Sequence, residues 1–157
     1  MGDNTSNVVA QSEVPVLAIP INFSYSTIDK IIYASDFKDF KAEINQIVPV
    51  AQSIGASIDV LHLLYYNDDA SIIQQEFDEQ AKNIEQVSVT LTQKNVTIDE
   101  PLTEHLKQYV STQQHALLAM FTQERDWFEK FFLNSKTEEL ANDLELPIIS
   151  FKKKDID

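Results

Sequence analysis

Two acidic pairs, three histidines and one Ser/Thr step are the residues whose types invite a chemical reading. Asp36-x-x-Asp39 follows an apolar run, which is where an aspartyl phosphatase carries its nucleophile. That chemistry needs Asp-x-Asp, and Lys38 occupies the third position. Asp68-Asp69 follows a later run. A phosphorylated receiver domain needs its acidic pair after the first strand and a phosphoryl-accepting Asp at the end of a later one, and neither requirement is met. His62, His105 and His115 share no i,i+3 or i,i+4 spacing, so the sequence offers no metal set. No Ser–His–Asp set follows from spacing, so no catalytic residue is assigned and no enzyme is expected. The absence of Cys excludes disulfides, thiol catalysis and Cys-ligated zinc or iron–sulfur sites. With only Gly2 and Gly55, the chain has neither a P-loop nor a G-x-G-x-x-G fingerprint.

Composition narrows the remaining classes. A chain of 157 residues, 43% hydrophobic and 24% charged, suffices for one domain with a core and is too apolar for disorder. Its 12 Lys+Arg against 25 Asp+Glu give a formal charge of -13. Such a chain repels phosphate backbones and anionic membranes, so neither nucleic acid nor membrane is expected as a partner. Residues 1–100 carry 5 Lys/Arg and 15 Asp/Glu, and the bland reading is a solvated acidic surface. The first residues lack a basic region followed by an apolar run, and no stretch approaches the ~20 apolar residues of a membrane span. A soluble, cytoplasmic protein is the expectation.

Hydrophobic periodicity supplies the elements that would position these residues. Apolar runs at Val14–Ile19, Lys30–Ser35, Ser57–Leu64, Ala116–Phe121 and Leu146–Phe151 read as strands, and the alternating Val87–Thr92 reads as a strand near an edge. Phe40, Ile44, Ile47, Val48, Ala51 and Ile54 fall at helical spacing, which predicts a helix from Phe37 to Ile54. Gly55 closes it, and Pro49 should kink or divide it. Asp68-Asp69 starts a second helix through Phe77, and Pro101 fits the first turn of a third with Leu102, Leu106, Tyr109 and Val110 on one face. Ser135 and Glu138 have capping-box spacing before a short helix. Lys152-Lys153-Lys154 reads as the solubilising end of an edge strand.

Strand–helix alternation implies a three-layer α/β arrangement with a five-stranded parallel sheet flanked by helices. The Pro-led strands Val14-Pro15-Val16-Leu17 and Leu146-Pro147-Ile148-Ile149 look alike, and each follows a polar, helix-like segment. They read as equivalent pieces of two related units. Residues 1–27 are then the remnant of a preceding domain with a linker, and 28–157 are a complete domain.

This layout resembles the universal stress protein family. KIIYASD matches the family's first strand ending in Asp, and GASIDVLHL its next strand with a His-containing apolar run. Residues 117–151 match its late apolar strand, loop, short helix and Pro-led final strand, and VPVLAIP matches the final strand of a preceding domain. The resemblance implies a Rossmann-like, adenine nucleotide alpha hydrolase-like fold. It also implies a tandem protein of which this is the second half, and pairing of final strands across a dimer or pseudo-dimer. Strand 14–19 should therefore lie antiparallel on 147–151, within the chain or by exchange into a second copy, with Val16, Leu17, Ile148 and Ile149 at the interface.

One departure decides the functional expectation. Nucleotide-binding members carry Gly, two residues, Gly, nine residues, then Gly-Ser or Gly-Thr. Register on Met120 places Phe121, Glu124 and Asn134 at those Gly positions, with Ser135 next. Gly lets backbone N–H groups approach phosphate without a Cβ. Phe121 brings bulk and Glu124 a carboxylate. Like charges ~4 Å apart interact by about 4 kcal/mol at an effective dielectric of ~20. That is about half of the roughly 8 kcal/mol behind a micromolar affinity. The expectation is a non-enzymatic domain that lacks triphosphate binding, needs no cofactor and acts through a protein partner or a homodimer. The alternative is a residual adenine-nucleotide site for ATP or AMP with Mg, using Asp36, Ser135 and Thr137, which match the family's ribose-side Asp and phosphate contacts. Asp36 and Ser135 each also have a plain reading as helix caps. Trp127, Phe128, Phe131 and Phe132 form a dense aromatic turn. They cover the sheet edge, fill the cleft or present a protein contact.

Overall fold

In a computed structural model of the chain, residues 8, 11–20, 23–24, 27–122 and 146–153 are described. They form β1 (Val16–Ala18), β2 (Lys30–Ala34), α1 (Phe40–Ile54), β3 (Ser57–Leu64), α2 (Ala70–Ala81), β4 (Val89–Asn95), α3 (Leu102–Ser111), β5 (Ala116–Thr122) and β6 (Ile148–Lys152). The expected short helix after Ser135 lies outside the described residues, as does nearly all of the polar segment 4–12.

The sheet order is β1-β6-β5-β2-β3-β4. Five strands run parallel, and β1 alone is antiparallel, on β6. This is the expected sheet with its extra edge strand. Chain order runs outward from β2 to β3 and β4, then jumps back across β2 to β5. Parallel crossovers are right-handed, so reversing the direction of travel moves the connecting helix to the opposite face. The core divides accordingly. Ile31, Tyr33, Ile58, Val60, Leu117, Ala119, Ile149 and Phe151 pack with Phe40, Ile44, Ile47 and Ala51 of α1 and Phe77 of α2. Ile32, Leu61, Leu118, Met120 and Ile148 pack with Leu106 and Val110 of α3.

Several boundaries differ from the sequence reading. α1 begins at Phe40 because Phe37 adopts φ 66, outside helical space. Pro49 lies inside α1 without dividing it. Losing one N–H is tolerated where Ile44, Ile47 and Ala51 are each buried. Gly55 closes α1 in the left-handed conformation, φ 68, and its N–H reaches back to the last turn. β4 pairs with β3 from Val89 to Asn95, beyond the expected end at Thr92. β6 is not an edge strand, since β1 covers it. Its terminal lysines are engaged instead: Lys152 meets Glu13 at 2.5 Å and Lys153 meets Asp39 at 2.8 Å.

One polar cluster ties α3 to the sheet. Asp59, 6% exposed within β3, accepts from the Tyr109 hydroxyl at 2.6 Å and from Thr92 Oγ1 at 2.7 Å. The Lys94 ammonium lies 5.7 Å from the centre of the Tyr109 ring. Burial, then the hydrogen bond to Asp59, pushes the Tyr109 hydroxyl to about 12 from its ordinary 10. Because the folded value is raised, this contribution is complete below about pH 10 and is lost as pH rises to about 12. Tyr109→Phe should lower unfolding free energy at pH 7 by about 1–2 kcal/mol in urea titrations. It should also shrink the decline of stability between pH 10 and 12. An unchanged midpoint would show that this bond does not hold α3.

Candidate functional site

The jump back across β2 opens a cleft at the carboxyl ends of β2, β3 and β5. Open α/β sheets bind ligands at such a reversal of strand order. The cavity measures about 300 Å³. Ala34, Ser35 and Asp36 line it from the end of β2, and Leu61, His62 and Leu63 from β3. Ala119, Met120 and Phe121 line it from β5, with Leu102, Thr103 and Leu106 of α3, Glu43 of α1 and Lys153 beyond β6.

The turn after β2 sets the rim. Ser35 N–H donates to the Leu61 carbonyl at 3.0 Å, continuing the sheet for one more residue. Its own carbonyl lies 2.8 Å from His62 Nδ1, and its hydroxyl accepts from Phe37 N–H at 3.1 Å. These bonds surround Phe37, whose positive φ is costly for a bulky side chain. The Phe37 ring packs 5.4 Å from Phe40 and 5.1 Å from His62. Apolar burial on both sides offsets the backbone cost.

Asp36 stands where the sequence placed it, on the rim, but it does not cap α1. It accepts from Lys38 N–H at 3.1 Å and lies 3.5 Å from the Lys38 ammonium, with both side chains largely in water. The residue at the start of α1 is Asp39, which makes no side-chain cap bond. Asp39 instead takes the Lys153 ammonium.

Glu43 is the charged group the sequence did not single out. It accepts from the buried Tyr33 hydroxyl, and Lys153 lies 4.0 Å away. Burial raises its pKa, opposed by the Tyr33 hydroxyl and by Lys153. Burial likewise raises the Tyr33 hydroxyl, which the adjacent carboxylate reinforces. The available signal was Tyr33 itself: a tyrosine within the aliphatic strand KIIYA needs a partner for its hydroxyl. Lys153 was read as part of a solvated tail and is the cation of this cluster.

Phe121 closes the end of β5. It meets Tyr33 edge-on at 5.7 Å and stacks on its register partner Phe151 at 4.9 Å, with planes 13° apart. Glu124, Trp127, Phe128, Asn134, Ser135 and Thr137 lie outside the described residues. Val16, Leu17, Ile148 and Ile149 come together at the β1–β6 ladder, away from the cleft. Among the described residues no three His, Asp or Glu side chains gather as a metal ion would need, and no helix is long and apolar enough to cross a membrane.

A raised Glu43 pKa means that, on acidification, the folded state takes up this proton before the unfolded chain does. Stability from this group therefore rises as pH falls from neutrality toward its ordinary value near 4.5. Glu43→Gln keeps an acceptor for Tyr33 and removes the buried charge. It should be at least as stable as the parent at pH 7 in urea unfolding, and should lack the parent's gain on acidification to pH 5. A loss above ~1 kcal/mol at pH 7 would mean the Lys153 attraction outweighs burial.

No family model matches the sequence, and no curated protein matches it. Solved structures do match. A universal stress protein from Archaeoglobus fulgidus DSM 4304 is similar at a TM-score of 0.63 and 14% identity, over 96% of this chain and 54% of that one. This chain thus spans about half of that protein. A universal stress protein family member from Burkholderia pseudomallei has a TM-score of 0.50 at 17% identity, over 82% of this chain and 98% of that one. A universal stress protein solved in complex with cAMP has a TM-score of 0.53 at 12% identity, over 81% and 98%. The chain has the universal stress protein fold.

Proposed function

We propose that this chain is a non-catalytic universal stress protein domain that works in the cytoplasm by associating with protein and does not hold a triphosphate. The observation that carries this reading is Phe121. Where the family places its first phosphate-loop Gly, the side chain is stacked on Phe151 and set edge-on to Tyr33. A backbone approach to phosphate there would require unpacking that aromatic ladder. Charge adds to the barrier, because Asp36 and Glu43 line the cleft and its cation Lys153 is already engaged by Asp39 and Glu43. Residues 1–27 are read as the tail of a preceding domain and 28–157 as the domain proper. The association surfaces are the strand residues Val16, Leu17, Ile148 and Ile149, and the aromatic turn at Trp127 and Phe128.

A second reading has one observation in its favour. The cavity at the strand ends persists beside Phe121, and one structure of this fold was solved with cAMP. A residual adenine-nucleotide site would use Asp36, Ser135 and Thr137, for ATP or AMP with Mg.

Calorimetric titration of the full chain with Mg-ATP, AMP and cAMP separates the two, alongside mass spectrometry of small molecules released on denaturation. No heat up to millimolar nucleotide and no co-purified adenine compound are expected. Micromolar binding of any of the three would overturn the preferred reading, and loss of that binding in Asp36→Ala would locate the site.

A further inference from the structure

We propose that the cleft at the strand ends takes a small apolar amine, held as its ammonium by Glu43 and His62, with its hydrocarbon body against Leu61, Leu106, Met120 and Phe121. The inference goes beyond the association reading, which gives this cavity no ligand.

Volume and walls set the body of the ligand. A cavity of about 300 Å³ lies at the lower end for small-molecule sites. At ~30 Å³ for each water-sized group, it admits about ten non-hydrogen atoms. Leu61, Leu63, Leu106, Met120 and the Phe121 ring make its walls largely hydrocarbon. Covering them from water favours an apolar occupant.

His62 points to an N–H donor. It is 9% exposed and lines the cavity. Its Nδ1 lies 2.8 Å from the Ser35 carbonyl oxygen. That oxygen can only accept, so Nδ1 carries the hydrogen, and Nε2 of the neutral ring is left as an acceptor. Among the described residues nothing hydrogen-bonds Nε2. A buried acceptor beside a cavity is satisfied by a donor on whatever fills it.

Glu43 supplies the charge. Its side chain is 12% exposed, and the Tyr33 hydroxyl is its hydrogen-bond donor. Two carboxylates share one cation here, since Lys153 lies 2.8 Å from Asp39 and 4.0 Å from Glu43. Asp36, on the rim, lies 3.5 Å from Lys38. Three carboxylates thus meet two ammonium groups, and one negative charge is left over. An ammonium in the cleft balances it and opposes the burial that raises the Glu43 pKa. A phosphate or carboxylate would add to the excess.

Calorimetric titration of the full chain with phenethylamine at pH 7 tests this against three probes. Phenethyl alcohol keeps the body and removes the charge, phenylpropionate reverses the charge, and ethylamine keeps the charge with little body. The amine is expected to bind with a Kd on the order of 100 µM. It should bind at least ten-fold tighter than the alcohol or ethylamine, and phenylpropionate should not bind. No amine binding up to about 10 mM would overturn the proposal. So would an alcohol or acid that binds as well, or ethylamine binding as well, which would mean attraction to the acidic surface alone. Glu43→Gln removes the charge and keeps an acceptor for Tyr33. It should weaken the amine about ten-fold and leave the alcohol unchanged. His62→Asn keeps a donor for the Ser35 carbonyl and removes the Nε2 acceptor, and it too should weaken the amine. Unaltered amine binding in Glu43→Gln would overturn the proposal, and this variant decides alone if His62→Asn does not fold. Failure of the amine arms would leave the association reading standing, because that reading is decided by nucleotide binding.

Discussion

Burial of β2 on both faces and at both edges is the constraint from which the rest follows. Ile31, Ile32 and Tyr33 are wholly enclosed, with β3 on one side and β5 on the other. A strand held this way has no tolerance for slippage, since a one-residue shift would turn Tyr33 to the opposite layer. It also forces the return connection from β4 to pass over the sheet, which brings α3 to the face opposite α1 and α2. The cleft exists because the chain leaves β2 in one direction and comes back to it from the other.

The same enclosure makes the chemistry of the cleft conservative. Tyr33 carries a hydroxyl into the core, and the hydroxyl must be satisfied. Glu43 does this from α1, at the cost of a half-buried carboxylate that Lys153, shared with Asp39, offsets. The cation nearest the strand ends is thereby committed to intramolecular partners. Among the described residues, the cleft presents the Asp36 and Glu43 carboxylates and the Phe121 ring. This electrostatic arrangement follows from packing, and no catalytic task is needed to account for it.

The architecture was legible because it is written in period and punctuation. The run KIIYA, the helical spacing from Phe40 to Ile54 and the switch back to strand after Gly55 each have one reading. Phe121 was legible as a departure from the family spacing. The details that escaped depend on distance in space. Nothing in FKDF shows that Phe37 takes a positive φ, because the packing of its ring against His62 involves a strand over twenty residues away. Asp36 has the spacing of a cap but closes a tight turn onto Lys38, since Phe37 delays the helix. Lys153 resembles a solvated tail until β1 makes β6 an interior strand and α1 presents Asp39 beside it. Asp59 within SIDVLHLL would seem a poor residue for a buried strand. Tyr109 and Thr92, fifty and thirty-three residues away, make it acceptable.

The two ends of the sheet solve the edge problem differently. At β4 the edge is polar and half-exposed, with Thr90, Gln93 and Asn95 among its residues. Such an edge resists apolar association by composition. At β6 the strand is almost entirely buried and apolar, and composition offers no protection. Protection there comes from a second strand of like sequence, set in a register that treats the two as equivalents. An edge guarded by its own likeness is closed only while the tethered strand stays in place.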